Sequence, residues 1–435
     1  FQKMDFKVPK EIEEYLMGAY EKANQWRLPS GESYENSESV EMRTVSVIGG
    51  GTMGRGIAIA LCRAGYDVIL VENDEKALAF CKKELGITIK RETELNRFKA
   101  KDIERLTSSS MRLTTRLEDL AACQLVIEAV FENMALKKEL FTKLQRICSK
   151  DCVFGSNTSS LNIDEMSSVL SDPSRLVGIH FFNPAHVIKV VEIVFGKKTC
   201  GRAVATAFEA CRAMKKIAVL VGNCPGFIFN RMLFAYMEQA HRMMYEYGLL
   251  PNQVDEIVRH AGFLMGPITM HDMNGVDVGA KVKTEQGWPL NPIEEWLLKK
   301  NRLGRKTGKG FYSYDADAKK HNDAEVEWAI RDLASKAKRS SVLMSDKDVL
   351  EAMLFPMVNE GYNLLEKGMI ADPALIDIMF IFGFGWPPAT GGPLKWGESR
   401  QRRLAEKLHD WKANDKASTM LELSQRVKSI RKNKM

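Results

Sequence analysis

A chain of 435 residues, 45% hydrophobic and 27% charged, is too long for one core and has the balance of a globular protein of two or three domains, not of a fibrous or disordered one. No apolar run approaches the ~20 residues of a membrane-spanning helix, so no membrane span is expected. The net charge of +7 mildly favours an anionic ligand, though solvated lysine faces explain it first at this size, and no aromatic-basic motif or DNA-reading module points to nucleic acid.

The chain opens Phe1-Gln2-Lys3-Met4-Asp5-Phe6. It has neither an initiating Met nor the apolar stretch of a secretory signal, as expected of a piece of a longer polypeptide. Glu11 to Trp26 reads as a helix with Ile12, Tyr15, Leu16, Ala19, Ala23 and Trp26 on one face. A polar linker follows from Pro29 to Glu41, so residues 1–42 form an N-terminal helix and linker expected to pack on the body of the protein.

Residues 43–222 alternate short β-branched runs with helical stretches. Val45–Ile48, Val68–Val71, Leu125–Ile127 and Cys152–Phe154 read as buried parallel strands, which makes a doubly wound sheet with ligands at the carboxyl ends of its strands. The cysteines Cys62, Cys81, Cys123, Cys148, Cys152, Cys200, Cys211 and Cys224 form no C-x-x-C pair and have no His at zinc-finger spacing. They read as reduced, mostly buried thiols of an intracellular protein, and no metal site is expected.

After Pro225 the strands are expected to stop, with one long helix over Phe227–Glu246. The helical part then repeats. Arg231–Phe234 followed by Tyr245–Leu250 resembles Ala352–Phe355 followed by Leu365–Ile370, and Gly262–Pro267 mirrors Gly383–Pro388. The copies lie about 120 residues apart, which suits a duplicated helical domain, not a solenoid. The expected architecture is a Rossmann-like doubly wound α/β domain at 43–222 followed by two repeated all-α domains at 223–335 and 336–435.

Two constellations carry chemistry. The first strand runs into Gly49-Gly50-Gly51-Thr52-Met53-Gly54 ahead of a small-residue helix. Gly49 permits the turn, Gly51 lets the backbone approach a pyrophosphate, and Gly54 lets the helix pack close to the sheet. Glu72, ending the next strand, is placed to accept hydrogen bonds from ribose hydroxyls and to repel a 2′-phosphate, so NAD is expected, not NADP. The alternative for Glu72 is a surface acid opening the helix at Asn73-Asp74-Glu75. The second constellation is His180 and Glu192, in successive apolar runs separated by Pro184. A buried carboxylate needs a partner, and one bonded to an imidazole fixes its tautomer for proton abstraction from an alcohol. Ser159, in Gly155–Ser160, and Asn230, early in the long helix, lie where they would reach the same site. Their alternatives are a helix N-cap for Ser159 or Ser160 and a surface amide for Asn230.

Together these stretches resemble the L-3-hydroxyacyl-CoA dehydrogenase family: Val47–Gly54, Ser156–Ser160, His180–Pro184, Asn223–Arg231 and Gly308–Tyr312. The likeness covers residues 43 to about 400 and is similar to the dehydrogenase portion of peroxisomal-type multifunctional β-oxidation enzymes. The resemblance implies NAD-dependent oxidation of a 3-hydroxyacyl-CoA, with His180 as base and Glu192 as its orienting partner. It implies substrate contacts from Ser159, Asn183 and Asn230, and NAD contacts from Glu132 and Lys137. Basic residues between Lys82 and Arg116 match a helical arm over the CoA. Glu351 stands where the second helical copy would need Asn230, so that copy is expected to support the fold. Residues 1–42 are too short for a hydratase domain, and hydratase activity is not expected of this chain. A duplicated helical domain implies a monomer. Asn433-Lys434-Met435 only loosely resembles the S-K-L signal, so a peroxisomal location rests on the family, with cytoplasm or mitochondrion as alternatives. The competing functions are a dehydrogenase of a free hydroxy acid or sugar acid, and a non-catalytic relative that binds NAD or acyl-CoA.

Overall fold

The computed structural model describes residues 8–285, 287–337, 344–414 and 421–432. Phe1–Phe6 and the C-terminal Asn433-Lys434-Met435 lie outside them. The chain divides into a sheet unit, Met17–Phe227 with Gly368–Leu375, and a helical unit. The helical unit comprises Ile228–Lys367, the chain from Ile376 on, and the N-terminal stretch to Leu16.

Eight strands build the sheet: β1 Thr44–Ile48, β2 Asp67–Val71, β3 Met111–Thr114, β4 Leu125–Glu128, β5 Val153–Ser156, β6 Leu176–Phe181, β7 Val190–Phe195 and β8 Ile217–Gly222. Their order is β3-β2-β1-β4-β5-β6-β7-β8. Every neighbouring pair is parallel except β6–β7. Every residue of β4, β5, β6 and β8 is buried, because helices cover both faces of a parallel sheet and leave no polar side to the strands. That is why these strands read as continuous apolar runs. The chain reverses direction across the sheet between β1 and β4, which puts the ligand crevice at their carboxyl ends. The fifth strand is displaced from the expected Cys152–Phe154 to Val153–Ser156. Gly368–Leu375 joins this unit, where the Gly222 N–H donates to the Met369 carbonyl at 2.7 Å.

The N-terminal helix spans Lys10–Ala23 and ends short of Trp26, which stacks on Phe208 with ring centroids 4.6 Å apart. The expected linker lies along the helix Gly201–Ala213, with the Val40 N–H donating to Thr206 Oγ1 at 3.0 Å.

In the helical unit Phe229–Tyr245 packs along Asp346–Glu366. Gly361 makes the close crossing possible, since a Cβ there would sit 3.1 Å from Met232 Cε and 2.8 Å from Leu394 Cδ2. Strands do not end wholly at Pro225, because Ser313–Tyr314 and Lys320–His321 form a small antiparallel hairpin. Sequence periodicity cannot register strands of two residues.

Two aspartates cap helices in the same way. Asp255 accepts from the Ile268 N–H at 2.8 Å and from Tyr312 Oη at 2.7 Å, above the Gly266-Pro267 helix start. Asp377 accepts from the Leu394 N–H and from Tyr15 Oη, both at 2.6 Å, above Gly392-Pro393.

The interior of the helical unit holds a polar cluster that no apolar pattern reveals. Lys283 Nζ lies 2.8 Å from Glu238 and 2.7 Å from Glu294. These carboxylates and His241 bring possible metal-ligand atoms within 4.8 Å of one another, and the Lys283 ammonium already supplies the charge between them. Asn291 Nδ2 donates to His241 Nδ1 at 2.9 Å, which leaves His241 Nε2–H to donate to His271 Nδ1 at 3.0 Å. Burial pushes both histidines down to about 3, His241 further lowered by Lys283 and His271 by His241. The unfolded chain therefore takes up protons below about pH 6.5 that the folded chain refuses, with Glu238, Glu294 and Asp277 opposing only in part. Stability from this pair is full above pH 6.5 and is lost as pH falls toward 3. The melting temperature should drop between pH 7 and 5. A flat profile would mean that the pair is protonated in place.

Candidate active site

At the end of β1 the backbone turns through Gly49 with φ +99°, where a Cβ would sit 2.6 Å from the Ala129 carbonyl oxygen. A Cβ on Gly54 would overlap the Gly49 carbonyl oxygen, so the helix Thr52–Arg63 rests on the loop without an intervening side chain. Gly51 is the N-cap of that helix, and a Cβ there would meet nothing within 4 Å. The first turn carries no acidic residue. Open space above unpaired N–H groups at a helix start fits a pyrophosphate. Glu72 is half-buried beside the loop, its Oε1 accepting from the Gly50 N–H at 2.6 Å. The N-cap role considered for this acid belongs to Asp74, whose side chain accepts from the Ala77 N–H at 2.8 Å. These residues fit a dinucleotide.

Ser159 lies in the loop after β5, and Glu132 organises that loop. Its Oε1 accepts from Thr158 Oγ1 at 2.6 Å, the Ser159 N–H at 2.8 Å, Ser159 Oγ at 3.2 Å and the Ser160 N–H at 3.2 Å. Burial pushes the Glu132 carboxyl up, but the Lys137 ammonium and the bonds from Thr158 and Ser159 outweigh it and hold it below the usual range. The N-cap alternative for Ser159 and Ser160 does not hold, because Asn162 caps the next helix. Lys137 is buried, 2.6 Å from Glu128 and 3.2 Å from Glu132.

His180 and Glu192 are register partners across the antiparallel β6–β7 pair. Both are buried, and His180 Nδ1 lies 2.7 Å from Glu192 Oε2. Phe182 and Phe227 flank the imidazole with ring centroids at 5.0 and 5.7 Å. With the carboxylate accepting Nδ1–H, the lone pair falls on Nε2, the state required of a base. β6 is held at this point by Asn157, whose Oδ1 accepts from the Phe181 N–H at 2.9 Å.

Asn183 is exposed in the turn after β6. Asn230 belongs to the other unit, half-buried in the first turn of Phe229–Tyr245. Glu351 is buried and its Oε1 is 2.7 Å from Arg403 Nε. Sequence reasoning missed Glu128, Asn157 and Thr158. The available signal was an acid ending the apolar run Leu125-Val126-Ile127, with a lysine one helix turn into the next element.

A profile of the 3-hydroxyacyl-CoA dehydrogenase NAD-binding domain matches residues 44–224, and one of the C-terminal domain matches 226–314. The dehydrogenase part of multifunctional enzyme 1 from C. elegans is 43% identical, covering 98% of this chain and 100% of its own, with a TM-score of 0.71. The chain belongs to the 3-hydroxyacyl-CoA dehydrogenase family.

Two curated relatives in that 3-hydroxyacyl-CoA dehydrogenase family are peroxisomal bifunctional enzymes. That of Danio rerio is 36% identical over 88% of this chain and 55% of its own length. That of Homo sapiens is 34% identical over 96% and 60%. The chain spans a little over half the length of these curated relatives. The match to the NAD-binding domain of the family takes in the glycine loop, Glu72, the Glu132–Ser159 contacts and the His180–Glu192 pair. No helix among the described residues is long and apolar enough to cross a membrane.

Proposed function

We propose that this chain oxidises the 3-hydroxyl of an L-3-hydroxyacyl-CoA to the ketone with NAD, as a step of fatty-acid β-oxidation. The observation that carries the proposal is the buried His180–Glu192 pair at 2.7 Å, in a sheet whose first turn has the open glycine cradle of a dinucleotide site. His180 Nε2 takes the hydroxyl proton while the hydride leaves C3 and the C=O bond forms. NAD, when bound, supplies the acceptor for that hydride. Glu192 holds the imidazole in the accepting tautomer and balances the charge it gains. Gly49, Gly51 and Gly54 cradle the pyrophosphate, Glu72 takes the ribose hydroxyls, and Glu132 and Lys137 complete the NAD site. Ser159, Asn183 and Asn230 hold the substrate's polar oxygens. Lys82, Lys83, Lys90, Lys99 and Lys101, all exposed on Glu75–Glu94 and around Ala100–Thr107, suit the anionic CoA.

The second helical stretch is proposed to be a copy of the first that supports the fold. The paired caps at Asp255 and Asp377, each with a tyrosine hydroxyl, favour this, as does the Arg403-bound Glu351 in place of Asn230. Such a copy would cover the apolar surface within one chain and give a monomer; a stable dimer at low concentration in sedimentation would overturn that. The names of the relatives favour a peroxisome, which localisation of the tagged full-length protein would test.

The deciding assay is loss of NADH absorbance with acetoacetyl-CoA, beside free acetoacetate and an NADPH control. Turnover is expected only with NADH and the thioester. Silence with the thioester, in protein that still binds NADH, would overturn the proposal and leave a free hydroxy acid or a binding role.

A further inference from the structure

We infer that Glu128 is a positioning residue of this site: it anchors the Lys137 ammonium against Glu132 and, through Glu132, sets the Ser159 loop. The inference rests on the function proposed above. Glu128 ends β4 and is fully buried. Its carboxylate accepts from Lys137 Nζ at 2.6 Å, Ser156 Oγ at 2.6 Å and the Val130 N–H at 2.7 Å. Lys137 is held more closely by Glu128 than by Glu132, at 2.6 against 3.2 Å. The ammonium thus has a fixed side and a working side.

On the working side Glu132 turns its other oxygen to Thr158 and to the backbone N–H groups of Ser159 and Ser160. Every link in the chain is charge-assisted, the strongest kind of hydrogen bond and the most sensitive to a change of charge. A buried ion pair often serves the fold alone. The position of this one argues for more. The segment between Glu128 and Glu132 runs beside the cofactor loop, with the Ala129 N–H donating to the Ile48 carbonyl at 2.8 Å and the Ala129 carbonyl blocking any side chain at Gly49. β4 and β5 end together at this edge, and Ser156 of β5 donates to Glu128 itself. Two carboxylates share one ammonium, so the group carries one net negative charge beneath the serine loop. Neutralising Glu128 would draw Lys137 toward Glu132 and loosen its hold on Ser159.

Glu128→Gln keeps the shape and the acceptor for Val130 but removes the charge. In the acetoacetyl-CoA assay it should lower kcat about ten- to a hundredfold, with the thioester KM moving less than about threefold. Glu132→Gln should act on the same parameter, and the double variant should be no worse than the more severe single one, since both break one chain. The same cycle is read without turnover by NADH fluorescence titration. There each single variant should weaken binding about tenfold, and the two effects should again not multiply. Effects that multiply independently, or a Glu128→Gln enzyme within about twofold of wild type in both readouts, would overturn the inference. Should Glu128→Gln fail to fold, Ser156→Ala removes one donor from Glu128 and leaves its charge. It should lower kcat about two- to fivefold and show the same coupling to Glu132→Gln, and the absence of that coupling would overturn the inference equally. Wild type that binds NADH but ignores the thioester would refute the proposed function, while the binding cycle would still decide the role of Glu128.

Discussion

Replacing His180 with alanine is expected to lower kcat for acetoacetyl-CoA reduction by about two to four orders of magnitude, the usual worth of a positioned acid or base. In this direction the imidazolium gives its Nε2 proton to the ketone oxygen as hydride arrives at C3, the reverse of the oxidation. The size of the effect follows from placement. His180 is held at Nδ1 by a carboxylate 2.7 Å away and packed between Phe182 and Phe227. Little entropy remains to be lost when it transfers a proton. NADH binding should be nearly unchanged, because the glycine cradle and Glu72 follow the ends of β1 and β2 while His180 lies on β6. The alanine also leaves a gap beside two rings, worth roughly 1–3 kcal/mol of stability, so a melting curve must accompany the kinetics. Folded protein that binds NADH and retains near-normal kcat would remove His180 from the chemistry.

The parts of the site legible in the sequence are those in which one residue breaks the rule of its own element. Glu192 stands in an otherwise apolar strand, so it demanded a partner, and the turn at Pro184 brought His180 opposite it. Gly49, Gly51 and Gly54 followed a strand and opened a helix, which fixes their surroundings within one βα unit. Other residues obey their local rule and gain meaning only in three dimensions. Glu128 looks like the polar end of a strand, and Lys137 looks like a solvated helix position until the helix Met134–Ile147 folds it under the sheet edge. β3 was missed because it is an edge strand whose residues Arg112, Leu113 and Thr114 are not fully buried, leaving no apolar run to detect. The cluster of Glu238, His241, Lys283 and Glu294 was hidden for another reason. Its members come from three helices, Glu238 and His241 sharing one, and charges on helices ordinarily face water.

Glu192→Gln should cost about as much as the loss of the base itself, roughly two to four orders of magnitude in kcat, with little change in NADH affinity. Glutamine fills the same volume, so the strand pairing of β7 with β6 and β8 is kept. What changes is the proton. A carboxylate only accepts, and so obliges His180 to carry its hydrogen on Nδ1 and leave Nε2 basic. A glutamine amide can turn its NH₂ toward Nδ1, which sends the ring hydrogen to Nε2 and removes the acceptor where the substrate hydroxyl must meet it. It also removes the negative charge that balances the imidazolium formed as the alcohol is oxidised. The two effects separate by experiment. Nitrogen NMR of His180 reports the tautomer, and it should move from Nδ1–H in the wild type toward Nε2–H in the variant. A Glu192→Asp enzyme keeps the charge but shortens the reach by one methylene, and it should recover part of the lost kcat. If Glu192→Gln were as fast as wild type with the tautomer reversed, proton transfer at Nε2 would not limit the reaction and the orienting role of Glu192 would fall.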